Sequence, residues 1–309
     1  MSTYVILGSG GVIGRNVAKS LAGDITILRL FSRIPVQVNP SDELMKGDLT
    51  IESNVIDAVK GAEVAYLTAG LRYETKVWKN EWPLIMKNVI DACKNENCKL
   101  VFFDNVYLYG KVNGRMTEES SINPCSVKGE IRAEIAEMLM KEVRHGNVTA
   151  LIARSADFYG PDTPLSFVNV TVFDKLSKGK KPMWLINDKV KHSFTYTPDA
   201  GKATALLGNT ESAYSQVWHL PTDPMALNGE QFIKLAASSY GAGNKYKVLS
   251  KGMVKFVGIF NKALKENNEM LYQNEFEYLF DSTKFVKAFG MESTSYGAGI
   301  KATAESMKR

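Results

Sequence analysis

Tyr4-Val-Ile-Leu-Gly8-Ser-Gly-Gly11-Val-Ile-Gly14 is the stretch on which the reading of the chain turns. A short apolar run meets a glycine cluster, and Val17, Ala18 and Leu21 follow at helical spacing. The stretch therefore reads as strand, tight turn and helix. Glycine at Gly8, Gly10, Gly11 and Gly14 lets the turn take positive φ and lets a phosphate come close to the backbone. The free N–H groups and dipole of the helix start, around Val12 and Ile13, then meet the negative charge. This predicts a dinucleotide pyrophosphate site; a glycine-rich turn without ligand is the plainer alternative.

Outward from that loop, apolar runs alternate with helical patterns, the rhythm of a parallel sheet covered on both faces. Strands are predicted at Tyr4–Leu7, Ile25–Phe31, Val64–Thr68, Leu100–Phe103 and Thr149–Ile152. Ile131, Ile135, Met138 and Leu139 recur at helical spacing and predict a crossover helix over Gly129–Val143. Beyond residue 160 come shorter strands, Met183–Ile186, Phe194–Tyr196 and Val217–Leu220, between proline-containing turns. The expected architecture is α/β, a Rossmann-type doubly wound parallel sheet in residues 1–160. A smaller C-terminal substrate lobe, interleaved with the sheet, is expected over 161–309.

Composition narrows the function. The 309 residues are 45% hydrophobic and 23% charged, ordinary globular values that allow a large core. Thirty-eight basic against 33 acidic residues give a net charge of +5, spread along the chain, which argues against a nucleic-acid partner. Cys93, Cys98 and Cys125 have neither metal-ligand spacing nor an even count, so a reducing, cytoplasmic setting is expected. No apolar stretch reaches 18 residues, which argues against stable membrane insertion. Nothing groups His145, His192 and His219 into a metal site.

Cofactor choice is read at the end of the second strand. An acidic residue there would bond the ribose 2′-OH of NAD, yet Ile25 to Ser41 holds no Asp or Glu. Ser32-Arg33 stands in its place, where a guanidinium can pair with a 2′-phosphate. NADP(H) is the expected cofactor and NAD the alternative. Arg29 competes for the role, and an ordinary solvated charge is the plainer reading of Arg33.

These motifs resemble the extended short-chain dehydrogenase/reductases, which include epimerases and dehydratases of nucleotide sugars, over nearly the whole chain. Gly47-Asp48-Leu49 resembles the segment that meets the adenine, and Thr68-Ala69-Gly70 the loop beside the cofactor. Val106-Tyr107-Leu108-Tyr109-Gly110 resembles the end of the catalytic strand, and Arg154 through Phe158-Tyr159-Gly160-Pro161 the segment after the sixth strand. The resemblance also implies a homodimer through helices including Gly129–Val143.

The departures fall where the chemistry belongs, marking an atypical branch. Asn105 stands where the family carries Ser or Thr, and Lys128 and Arg132 stand where it carries Tyr and Lys. Lys128 is the leading proton-transfer candidate, with Arg132 as an electrostatic neighbour on the same helical face and Asn105 as hydrogen-bond donor to a substrate oxygen. The blander reading has Lys128 binding cofactor ribose or phosphate and Arg132 paired with a carboxylate such as Glu119. Tyr107, Tyr109 and Tyr159 offer alternative phenols. Tyr73, with Trp78 and Trp82 nearby, can line the pocket mouth, although core packing suits the tryptophans better.

His192 falls on the expected substrate border where relatives often have Arg, which weakens the case for a diphosphate-bearing substrate. Lys245–Lys265 carries six lysines and no acid and reads best as a lid or core helix with its lysines in water, an anionic membrane contact being the alternative. The expected function is that of an NADP(H)-dependent oxidoreductase or epimerase acting on a small-molecule hydroxyl or ketone. The alternative is a non-catalytic NADP(H)-binding sensor or scaffold.

Overall fold

β1 (Thr3–Leu7) is buried from Tyr4 to Leu7 and apolar there, as a strand covered on both faces must be. It pairs in parallel with β2 (Ile27–Ser32) on one side and β4 (Val64–Leu67) on the other, Leu7 standing opposite Phe31 and Leu67. β3 (Glu43–Lys46), β5 (Lys99–Asn105), β6 (Ala150–Ser155) and β7 (Val217–His219) complete a seven-stranded parallel sheet in the order β7-β6-β5-β4-β1-β2-β3. Strand order reverses at β1, where open α/β sheets place their ligands. The computed structural model describes residues 2–23, 27–260 and 262–308, without the side chains of 257, 259, 260, 263 and 264. Ile25, at the predicted start of β2, thus lies outside the described residues, as does Asn261 in the basic stretch.

The chain divides into two units. Unit 1 comprises residues 1–108, 127–155 and 200–220, and unit 2 comprises 109–126, 156–199 and 221–309. A cut at residue 160 would assign 109–126 to the sheet and 200–220 to the lobe, whereas the contacts do the reverse. β7 enters unit 1 because it pairs with β6, Trp218 opposite Ala153. Residues 200–208 enter it because Gly201 lies close against Asn16 and Gly208 against the Tyr66 ring. Burial and the neighbouring phenols of Tyr214 and Tyr4 push the Tyr66 hydroxyl well above its ordinary pKa.

In unit 1, α2 (Glu52–Val59), α3 (Thr75–Glu96) and α4 (Val127–Arg144) pack around a core that includes Val5, Phe31, Leu67, Met86, Phe102 and Ile135. Trp78 and Trp82 belong to this core. Unit 2 combines helices, among them Gly229–Ser239 and Tyr296–Ser306, with two-stranded pairs such as Asp157–Tyr159 with Phe194–Tyr196. Its core is aromatic: Tyr159, Phe173, Trp184, Phe194, Phe232 and Tyr296. The lysines of the basic stretch, Lys245, Lys247, Lys251, Lys255, Lys262 and Lys265, are exposed, while Val254 is buried. No helix among the described residues is long and apolar enough to cross a membrane.

Candidate active site

The glycine loop leads from β1 into α1 (Val12–Leu21). Gly8 has φ +94°, and its N–H and that of Ser9 donate to the Phe31 carbonyl at 2.9 and 3.1 Å. A Cβ on Gly8 would lie 2.5 Å from Ala69 Cα, and one on Gly14 would lie 2.8 Å from Ser9 Cα and 2.9 Å from Thr68 Oγ1. Thr68 and Ala69 therefore close over the turn because these positions are glycine. No side chain caps α1, so the N–H groups of Val12, Ile13 and Gly14 have no intrahelical acceptor. Over Gly10 and Gly11, by contrast, an added Cβ would meet nothing nearer than 3.6 Å.

Two hydroxyl oxygens beside this loop, Ser9 Oγ and Ser32 Oγ, are buried without a hydrogen-bond partner. Such groups cost free energy unless a partner arrives, and the phosphates and ribose of a dinucleotide supply acceptors and donors. An open cradle of N–H groups lined by orphaned hydroxyls fits an NAD(P) cofactor.

Where β2 and β3 end, Arg33, Lys46, Gly47, Asp48 and Asn54 line an open recess of about 370 Å³. Arg33 and Lys46 are both exposed. Asp48 turns its Oδ1 to Thr50, accepting from the backbone N–H at 2.9 Å and from the hydroxyl at 2.8 Å. The Thr50 backbone bond most of all, then its hydroxyl and the Arg33 guanidinium, hold this carboxyl below the usual range despite partial burial. Leu49 is pinned where its carbonyl accepts from Asn88 at 3.0 Å. Arg29 is engaged elsewhere, Nη1 donating to the Ala58 and Lys60 carbonyls at 2.6 and 3.2 Å and Nε to Glu43 at 3.2 Å. It does not compete with Arg33. Lys46 and Asn54 carry no sequence signal that marks them, since only the pairing of β2 with β3 brings them to the recess.

A second group of residues gathers where β5 ends. Lys128, in the first turn of α4, is fully buried. Its Nζ donates to Thr75 Oγ1 at 2.8 Å and lies 4.7 Å from the centre of the Tyr73 ring, a cation–π distance. Tyr73 therefore sits under Lys128. Asn105 Oδ1 accepts from the Tyr107 N–H at 3.1 Å, which starts the short turn Tyr107–Tyr109. The Tyr107 ring stacks on Trp78, 6.3 Å between centres.

Arg132 has a different partner from the one its sequence neighbourhood suggests. It pairs with Asp104, Nε to Oδ1 at 2.7 Å, rather than with Glu119. Arg154 takes the other oxygen at 3.1 Å, so one carboxylate holds two guanidinium groups, all three side chains at most 4% exposed. Arg132 also lies 4.5 Å over the Trp82 ring. Its charge is committed to the protein interior, which gives it a supporting place.

The substrate-side candidates of unit 2 are buried. Tyr109 is 1% exposed. Tyr159 is 1% exposed in the aromatic core, its hydroxyl lacking a partner, and burial raises its pKa far above that of an ordinary phenol. His192 Nε2 lies 2.9 Å from Asp157, and the ring is stacked between Phe194 and Tyr278 at 4.4 and 4.3 Å. Among the described residues no group of His, Cys, Asp and Glu is placed to hold a metal ion.

Against known proteins, the sequence matches the NAD dependent epimerase/dehydratase family over residues 4–217. No curated protein matches it. Among solved structures, UDP-glucose 4-epimerase of Thermus thermophilus with NAD is similar at TM-score 0.81 and 15% identity, over 99% of this chain and 98% of that one. UDP-glucose 4-epimerase of Thermotoga maritima with UDP-glucose gives TM-score 0.82 at 16% identity, over 98% of both chains. A dTDP-glucose 4,6-dehydratase of Streptomyces venezuelae with NAD gives 0.79 at 15%, over 99% and 96%. These likenesses establish the fold, while the family match spans most of the chain and takes in the glycine loop, the recess and the Lys128 neighbourhood. The chain belongs to the NAD-dependent epimerase/dehydratase family.

Proposed function

We propose that this protein is an NADP(H)-dependent oxidoreductase or epimerase that acts on a hydroxyl or ketone carbon of a small molecule. The observation that carries the cofactor choice is the recess at the ends of β2 and β3, lined by Arg33 and Lys46, with no acidic side chain from β2. Asp48, the acid that does line it, is turned to Thr50. A guanidinium binds phosphate oxygens through two parallel bonds and an ammonium adds a point charge. Ser32 Oγ lies at the same strand end and lacks a partner.

When bound, the nicotinamide supplies or accepts a hydride at the substrate carbon. Lys128 then gives a proton to the substrate oxygen as a ketone becomes an alcohol, or takes one in the reverse direction. Asn105, its Oδ1 occupied by Tyr107, offers Nδ2 as the donor that orients that oxygen. His192 is closed between two rings with its Nε2 on Asp157, which favours a substrate without a diphosphate. A reducing cytoplasm, in keeping with three unpaired cysteines, and a homodimer through the helices that include α4 complete the reading.

Fluorescence titration with NADPH and NADH tests the cofactor assignment. One charge-assisted contact to phosphate is worth about 1.5–3 kcal/mol, so Arg33→Ala should weaken NADPH binding about tenfold or more and NADH binding by less than about threefold. Equal losses would defeat the assignment. Lys128→Met should abolish turnover on a ketone and aldehyde panel while leaving NADPH affinity nearly unchanged; a large affinity loss would place Lys128 on the cofactor instead.

A further inference from the structure

We propose that Thr75 is a positioning residue for Lys128, its hydroxyl fixing the Nζ and returning protons to it from solvent. The proposal rests on the reading of Lys128 as the group that moves the proton. Lys128 is 0% exposed, so its ammonium has no direct contact with water and must exchange protons through its hydrogen-bond partners. Thr75 Oγ1 is such a partner at 2.8 Å, and Thr75 itself is only half-buried, so one hydroxyl can meet both the amine and water.

Position and side-chain type both suit the task. Thr75 is the first residue of α3, where the chain turns into a helix that no side chain caps. Its β-branched side chain is stiff about χ1, so the hydroxyl is a fixed acceptor for a flexible four-carbon stem. The Tyr73 ring, 4.7 Å from Nζ, closes another side. A hydroxyl also both accepts and donates, which a methyl group in its place cannot do.

The proton balance closes. When the Lys128 ammonium gives a proton to a substrate oxygen, a neutral amine remains. The Thr75 hydroxyl proton passes to Nζ, and Oγ1 takes a proton from water or a buffer acid. The substrate gains one proton, solvent loses one, and both side chains return to their starting states. In the oxidative direction each transfer reverses.

The test measures exchange between the Lys128 Nζ protons and water, by NMR on cofactor-free protein labelled with [15N]lysine, with Lys128→Arg identifying the signal. Thr75→Val removes the hydroxyl at constant shape, Thr75→Ala removes it with less bulk, and Thr75→Ser keeps it. Exchange should slow by about tenfold, the worth of one hydrogen bond, in the valine and alanine variants and stay near the wild-type rate in the serine variant. Unchanged exchange without the hydroxyl would overturn the proposal, as would faster exchange, which would make Thr75 a shield. Normal turnover by Lys128→Met would refute the catalytic reading of Lys128 and leave the exchange result standing by itself.

Discussion

Replacing Asp104 by Asn tests what holds the floor of the candidate site. The change keeps the shape of the side chain and removes the carboxylate charge that Arg132 and Arg154 share, their Nε atoms lying 2.7 and 3.1 Å from its two oxygens. Removing one partner of a buried ion pair costs about 3–5 kcal/mol, because the other charge stays buried without compensation. Here two guanidinium groups lose one carboxylate, while the amide oxygen can still accept a single bond. The net cost is about 4 kcal/mol, which at about 2 °C per kcal/mol for a chain of this size lowers Tm by about 8 °C.

The assay is thermal unfolding beside a control, Glu43→Gln, which breaks the partly exposed contact to Arg29 and should cost less than about 1 kcal/mol. Arg132→Gln in the Asp104→Asn background should restore part of the loss by removing one stranded charge, whereas independent sites would add their losses. A drop for Asp104→Asn no larger than that of the control would refute the view that this carboxylate holds both arginines. NADPH affinity should change little, since none of the three residues belongs to the glycine loop or the recess.

Lys46→Ala should lower NADPH affinity about threefold to tenfold and leave NADH affinity alone, as loss of a single point charge from the recess; an effect on both cofactors alike would remove Lys46 from the phosphate. Gly8→Ala should abolish binding of both cofactors and destabilise the fold by about 1–3 kcal/mol, since the new methyl meets Ala69 at a backbone φ of +94°; unaltered titrations would contradict the close approach. Tyr159→Phe should leave Tm unchanged or raise it slightly, because the hydroxyl removed is buried without a partner, and activity should survive; lost turnover would return Tyr159 to the substrate. Hydrogen bonding to Asp188 pushes the Tyr246 phenol up to about 12. With the folded pKa above the unfolded value, its stabilising effect is present below pH ~10 and fades as pH rises through 12. Asp188→Asn should bring the phenol back down, visible in ultraviolet titration against Tyr246→Phe.

The glycine loop was legible because its chemistry is local: strand, turn and helix start lie within Thr3–Leu21, and Gly8 and Gly14 answer close contacts inside that span or with the Thr68–Ala69 loop. Arg33 could be named for the same reason, as the residue directly after β2. Lys46 could not, because it looks like any surface lysine until β3 pairs with β2 and sets Ser32 opposite it. The partner of Arg132 was hidden in another way: Asp104 is 28 positions distant, and it is the parallel register of β5 with β6, Asp104 opposite Arg154, that draws the second arginine in. Tyr159 and His192 carry family-like spacing, but spacing does not report that aromatic rings close around both. The sheet to which the strand predicted at Val217–Leu220 belongs is hidden for a related reason, since so short a strand shows its sheet only through its partner.

The division into units has a consequence for how the protein can be made and cut. The polypeptide passes from one unit to the other after residues 108, 126, 155, 199 and 220, five times in all. A fragment ending at 160 lacks the edge strand Val217–His219 and the segment 200–208 that lies against Asn16 and Tyr66. On a ribosome, the nucleotide-binding half stays unfinished until residue 220 has emerged, by which time the other half's first two segments, 109–126 and 156–199, are already out. Neither half can be released by a single nick or obtained by truncation, so separating them calls for circular permutation or engineered joins.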